Sequence, residues 1–130
     1  MSYETISLEV ENKVATLTIN RPKMLNAFNA QIVGDMGDAT EKVKNDSQIR
    51  VLVITGEGRG FSAGADLTER DASWSDTKDA LIRGYYPFLK NIIEMPKPVI
   101  GSINGAAAGI GAALAMACDL RIMAKDSYIM

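Results

Sequence analysis

The chain has 130 residues, 47% of them hydrophobic and 23% charged, with a formal net charge of -2. That balance excludes a strongly basic surface for nucleic acid or an anionic membrane. The complete lack of histidine excludes His-based triads, His metal sites and imidazole acid–base chemistry. A single cysteine, Cys118, cannot staple its own chain, which fits a reducing compartment. The polar start, Ser2-Tyr3-Glu4-Thr5, carries no secretory signal. The longest apolar run, Ala106 to Cys118, is closed by Asp119 and Arg121 and falls short of the roughly 20 residues that span a bilayer. These features lead us to expect one domain in the cytoplasm or an organelle matrix, with no nucleic-acid or membrane partner.

Ile6, Leu8 and Val10 alternate with polar residues, and so do Ala15, Leu17 and Ile19. With Glu11-Asn12-Lys13 between them, they predict an antiparallel hairpin. An irregular stretch from Arg21-Pro22 to Asn26 follows. Phe28, Ile32, Met36, Ala39 and Val43 then recur at three- and four-residue spacing, predicting an amphipathic helix weakened by Gly34 and Gly37. Val51 to Thr55 is a β-branched run that reads as a buried strand. The polar stretch from Asp66 to Ser75 leaves its structure open. Leu81, Tyr85, Phe88, Leu89 and Ile92 form a second helical stripe with Asp76 as N-cap, and Pro87 should kink or split that helix. Val99 to Ile103 is a further strand. Ala106 to Cys118 predicts a small-residue helix, Leu120 to Ala124 another strand, and Met130 ends inside what reads as a further one. The order is that of an α/β protein whose last unit stops midway.

Two sites share one plan: an apolar strand, then glycines, then a helix start. The first is Gly56 to Leu67 and the second Ile103 to Ala113. Glycines let a ligand approach the main chain closely, and free N–H groups at a helix start favour negative charge. Two such turns would aim two N–H groups at one oxygen. Either turn alone is as often structural as functional.

Motif order carries a resemblance. Asn20-Arg21-Pro22 with Leu25-Asn26-Ala27 comes first, then Phe61-Ser62-Ala63-Gly64-Ala65-Asp66-Leu67. Lys97-Pro98-Val99-Ile100, Asn104-Gly105-Ala106-Ala107-Ala108-Gly109-Ile110-Gly111 and Cys118-Asp119-Leu120-Arg121 follow. In this order and spacing the chain resembles the crotonase (enoyl-CoA hydratase/isomerase) family over essentially its whole length. The resemblance implies a spiral of ββα units and an acyl-CoA thioester as substrate, with coenzyme A as part of that substrate and neither a separate cofactor nor a metal. Family members are about twice this length, so residues 1–130 match the N-terminal portion of a single crotonase-like domain. The C-terminal helical part that builds trimers or paired trimers is absent from this sequence. Without it we expect uncovered apolar surface and a poorly stable or aggregating product.

By the same resemblance, the backbone N–H groups of Ala65 and Ile110 are the oxyanion donors for the thioester carbonyl. Lys23, Met24 and Leu25, together with Ala63, Ala65, Asp66 and Leu67, match the parts that hold coenzyme A. Lys23 is read either as a phosphate contact or as a solvated charge. Gly109, Ile110, Gly111 and Ala113 line the second turn. Asp66 is expected to cap a helix rather than act in catalysis, and Asp119 to be structural. Hydratases of the family carry a glutamate where this chain has Ala113, and a methyl group moves no proton. The family's other carboxylate falls a few residues past Met130. The expectation is therefore an isomerase-type reaction, and the second turn is similar to that of phenylacetyl-CoA ring isomerases. An enoyl-CoA hydratase and a non-catalytic CoA-binding member are the alternatives.

A short-chain dehydrogenase is a remote rival. Gly105 to Gly111 matches its Gly-x-x-x-Gly-x-Gly turn, and Tyr86 and Lys90 its Tyr-x-x-x-Lys pair. The order is inverted, however, and no acidic residue ends a strand about 20 residues past the turn. Trp74, Tyr85, Tyr86 and Phe88 are candidates for an acyl pocket, with Tyr85 and Phe88 favoured as core residues. Cys118 reads as a small buried hydrophobe.

Overall fold

The computed structural model describes residues 2–69 and 71–130. Five strands form one sheet in chain order: β1 (Ile6–Glu11), β2 (Val14–Ile19), β3 (Val51–Gly56), β4 (Val99–Ile103) and β5 (Leu120–Met123). β1 and β2 are antiparallel, and every later pairing is parallel. The hairpin turns on Asn12 (φ 51) and Lys13 (φ 67), a left-handed pair whose twist suits the flanking strands. Ala15, Leu17 and Ile19 face the core as their alternation predicts. Val10, near the hairpin tip, stays more than half exposed. A period-two pattern marks a face of a strand but not how far along it that face is covered.

Short extended segments after the strands build a second ladder. Phe28 pairs with Ala65, Ser62 with Ala107, and Ala107 with Ile129, all in parallel. Each of β2, β3 and β4 is thus followed by a pairing segment and then by a helix. This is the expected spiral of ββα units, and β5 with Ile129 opens a fourth. The segment at the chain end, expected as a further strand, is this Ile129 bridge.

The first helix, α1 (Ala30–Asn45), is capped by Asn29, whose side chain accepts the Ile32 N–H at 2.9 Å. At its other end Lys97 donates to the carbonyls of Val43 at 2.6 Å and Asp46 at 2.9 Å, adding a cation to acceptors that also take the Asp46 and Ile49 N–H groups. Ile32, Met36, Ala39 and Val43 are fully buried. Phe28 precedes the helix but packs on Phe88, ring centroids 5.5 Å apart.

The second helical stretch has three parts: α2 (Thr77–Asp79), a π-helical segment (Ala80–Tyr85) and α3 (Tyr86–Ile93). Asp76 caps it, accepting the Asp79 N–H at 2.8 Å. The expected break at Pro87 takes the form of this wide turn, which carries the chain past a residue without an N–H. The π segment adds a residue to the turn, so Ala80, Gly84 and Tyr85 face inward. Leu81, expected in the buried stripe, is half exposed for that reason.

The helix expected from Ala106 begins later, as α4 (Ile110–Ala117). Ala107 instead sits between Ser62 and Ile129, donating to Tyr128 and accepting from Met130. Ladder bonds on both sides outweigh the helix preference of alanine. β5 is exposed along its length, with Leu120 and Ile122 in the open.

Candidate functional site

The segment after β3 is extended and alternates. Ser62, Gly64 and Asp66 are buried, while Ala63, Ala65 and Leu67 face outward. Phe28 donates to the Gly64 carbonyl at 2.7 Å and accepts the Asp66 N–H at 2.9 Å. Those bonds skip Ala65, whose own N–H turns the other way and donates to nothing among the described residues. No helix starts here, contrary to the shared plan expected of the two turns.

The second turn does open a helix. Gly111 donates to the Ala108 carbonyl at 2.9 Å, closing a tight turn with Gly109 (φ 57, ψ -126) at its first central position, where a side chain is disfavoured. Ile110 is the first residue of α4, so its N–H has no partner within the helix. Gly111 is needed for contact rather than conformation: a Cβ there would strike the Ser62 carbonyl oxygen. The two turns therefore lock together. A Cβ on Gly64 (φ 106) would lie 3.0 Å from the Ala108 oxygen and 3.6 Å from the Gly109 Cα. The residues immediately before Ala65 and Ile110 are thus in contact, and both following N–H groups are unengaged. Such an arrangement can stabilise charge developing on one small oxygen.

Asn26 and Asn104 hold the first loop in place, and the sequence reading missed this role. Fully buried Asn26 accepts the Arg21 N–H at 2.8 Å and donates to the carbonyls of Glu57 at 3.0 Å and Gly60 at 2.8 Å. Asn104 accepts the Gly56 N–H at 3.1 Å and donates to Gly58 and to the same Gly60 carbonyl, both at 3.0 Å. The available signal was an asparagine after Leu25 and an Asn-Gly pair after β4, residue types that tolerate or shape turns. Asn26 does adopt φ 57.

Asp66 caps no helix; its carboxylate is engaged within the fold. Its Oδ1 accepts the Thr68 N–H at 2.9 Å and the Thr68 hydroxyl at 2.7 Å, and its Oδ2 meets Arg21 at 3.2 Å. The Thr68 bonds first, and Arg21 second, hold its carboxyl below the usual carboxylate range. Arg21 also reaches the Ala27 carbonyl and Glu69, both at 2.6 Å, tying the first irregular stretch to this segment.

Lys23, Met24 and Leu25 are exposed beside it, on and after a 3₁₀ turn (Pro22–Met24). The Leu25 carbonyl accepts the Ala63 N–H at 2.9 Å. A cleft of about 540 Å³ lies against Leu25, Arg59, Ala63, Gly105, Asp126 and Tyr128. A smaller apolar cavity of about 140 Å³ is lined by Ala65, Leu67, Ala80, Leu81 and Tyr85, so the Ala63–Leu67 segment borders both. Ala113 lies exposed one turn into α4. Of the candidate aromatics, Phe88 belongs to the core. Tyr85 belongs to both the core and the small cavity. Trp74 packs on Gly84, and Tyr86 is exposed. Asp119 accepts the Val99 N–H at 2.8 Å and fastens the start of β4. Cys118 is buried, and burial pushes its thiol up to about 11.

The dehydrogenase reading fails on this arrangement. Tyr86 and Lys90 line an outer groove with Ile93 and Glu94, and no residue of the glycine turn lines it. That turn is locked into a second ladder instead.

Comparison with known proteins agrees. Residues 9–130 match the Enoyl-CoA hydratase/isomerase family. The chain is 41% identical over 128 residues to a 1,2-epoxyphenylacetyl-CoA isomerase of Escherichia coli, covering 95% of this chain and 49% of that protein. It is 42% identical over 129 residues to a crotonyl-CoA hydratase of Syntrophomonas wolfei, covering 98% and 49%. A solved enoyl-CoA hydratase/isomerase from Xanthobacter autotrophicus superposes with a TM-score of 0.88 at 28% identity, covering 98% of this chain and 48% of that one. The chain spans about half the length of the relatives it matches. With its ladder of ββα units and its motifs in register, the chain belongs to the enoyl-CoA hydratase/isomerase family.

Proposed function

We propose that this chain carries the coenzyme A thioester site and both oxyanion donors of an enzyme that stabilises a thioester enolate. Its reaction on this reading is an isomerase-type proton shift. Removing the proton next to a thioester carbonyl leaves charge on that oxygen, and the N–H groups of Ala65 and Ile110 would receive it. Donors of this kind contribute about 3–4 kcal/mol each to the transition state. A carboxylate base, which the resemblance puts outside the matched residues, would take that proton and return it to a different carbon of the acyl chain, completing the shift. The observation that carries the reading is the Gly64–Gly109 contact, with an unengaged N–H directly after each glycine.

Ala113 favours isomerisation over a two-carboxylate hydration, because a methyl group neither holds nor transfers a proton at that position on α4. A second reading, enoyl-CoA hydratase, is supported by the 42% identity to a crotonyl-CoA hydratase. On either reading Lys23, Met24, Leu25, Ala63 and Leu67 flank the coenzyme A portion. Coenzyme A is part of the substrate and no separate cofactor enters. Assembly as a homotrimer or a dimer of trimers in the cytoplasm completes the proposal.

The test is α-proton exchange. The protein as its gene encodes it is incubated with saturated acyl-CoA thioesters in D2O and followed by NMR. Exchange that disappears in Gly109→Val supports the enolate reading. Neither exchange nor binding with any acyl-CoA overturns it.

A further inference from the structure

Among the described residues, Leu81 and Tyr85 line two cavities at once. The inner one, about 140 Å³, begins at Ala65, whose N–H is one of the two unengaged donors. The outer groove, about 350 Å³, runs along α3 past Tyr86, Leu89 and Ile93. The two shared residues differ in freedom. The Tyr85 ring is buried and hemmed by Trp74 at 5.8 Å, Phe88 at 6.4 Å and Phe28 at 6.5 Å between centroids. Its neighbour Gly84 backs onto Trp74, where a Cβ would stand 2.5 Å from the ring. Leu81 has no such frame and is 50% exposed. The π turn puts it there: the Tyr86 N–H donates to the Leu81 carbonyl, and the wide turn moves Leu81 off the buried stripe to the rim between the cavities. Asp66 and Thr77 add the polar part of the inner lining, and the Asp66 carboxylate is taken up by Thr68 and Arg21. An apolar cavity of roughly 150 Å³ takes up benzene, so the inner one holds a group of about six carbon atoms.

We propose that Leu81 sets the acyl selectivity of this site, closing the inner cavity so that it takes a short or single-ring acyl group and turns long chains away. The assignment rests on the acyl-CoA reading above. A longer chain entering past Ala65 must displace Leu81 or leave its excess methylenes in water. Removing the Leu81 side chain joins the cavity to the groove, where Leu89 and Ile93 then receive them.

The test compares α-proton exchange in D2O for hexanoyl-, phenylacetyl- and dodecanoyl-CoA on the protein as its gene encodes it. The unsubstituted protein should favour the two smaller thioesters over dodecanoyl-CoA by roughly tenfold or more in kcat/KM. Leu81→Ala should shrink that preference about tenfold by raising the dodecanoyl-CoA rate, and adding Ile93→Lys should restore it, since an ammonium then stands in the groove. Leu81→Phe, which narrows the cavity instead, should lower phenylacetyl-CoA exchange more than hexanoyl-CoA exchange. Equal efficiency with dodecanoyl-CoA in the unsubstituted protein overturns the proposal and leaves the acyl-CoA reading intact. Unchanged preferences in folded Leu81→Ala and Leu81→Phe do the same. A uniform loss for all three thioesters also overturns it, because Leu81 would then act through the fold. A gain that survives Ile93→Lys overturns the route through the groove. Exchange with none of the thioesters by the unsubstituted protein overturns both the proposal and the reading beneath it.

Discussion

Gly64 and Gly109 face each other across the two turns: a Cβ built on either would stand 3.6 Å from the other's Cα. Both have positive φ, and each directly precedes a backbone N–H with no partner among the described residues. The separation leaves room for a methyl group, so conformation rather than crowding dictates glycine at 109. Gly109→Ala should destabilise the protein by about 1–2 kcal/mol through its backbone angles. Gly109→Val, stiffer still, should turn the Ile110 N–H away and abolish thioester α-proton exchange. Thermal unfolding and the NMR exchange assay check the two effects separately.

Asn26 and Asn104 share the Gly60 carbonyl but differ in burial. Asn26→Ala leaves buried partners unsatisfied and should cost about 2–4 kcal/mol in urea unfolding. Asn104→Ala should cost less, since its bond to Gly58 is open to water that can replace it. Equal losses would contradict this ordering.

The lowered pKa of Asp66 predicts an acid-sensitive contribution. Its folded-state value lies below the unfolded value, so the stabilisation is complete above the unfolded pKa, about 3.9. It is lost as pH falls through the folded value below that. Asp66→Asn should therefore be less stable at neutral pH and show a flatter melting temperature below about pH 4. Thr68→Ala should reproduce part of the effect, because Thr68 supplies the larger share of the shift.

Ala113 is exposed on α4, so a longer side chain is accommodated there without disturbing the core. Ala113→Glu places a carboxylate one turn past Ile110 and should add measurable hydration of crotonyl-CoA, followed by loss of the enoyl absorbance. An unchanged background rate would count against a role for this position in separating isomerase from hydratase.

Burial and a pKa near 11 make Cys118 unreactive at neutral pH. A thiol reagent should label it only at the rate of unfolding, and a labelling time course with and without urea checks this.

Periodicity marked both the hairpin and the stripe of α1, because those patterns depend on which face meets the core. It failed at Ala106 to Ala108 and at Leu81. There, ladder bonds to Ser62 and Ile129 and a π turn ahead of Pro87 overrule local preference. Motif order pointed to Ala65 and Ile110, but not to the asparagines that hold their loops. Those bonds join residues more than 30 positions apart, which a local pattern does not register.

By itself, then, the sequence determined the α/β class, the family and the kind of residue at each turn, since composition, periodicity and motif order are properties of the chain alone. The tertiary structure decided which turns meet and which N–H groups stay unengaged among the described residues. Hydrogen-bond satisfaction and close backbone approach exist only between segments, and folding alone brings Gly64 against Gly109.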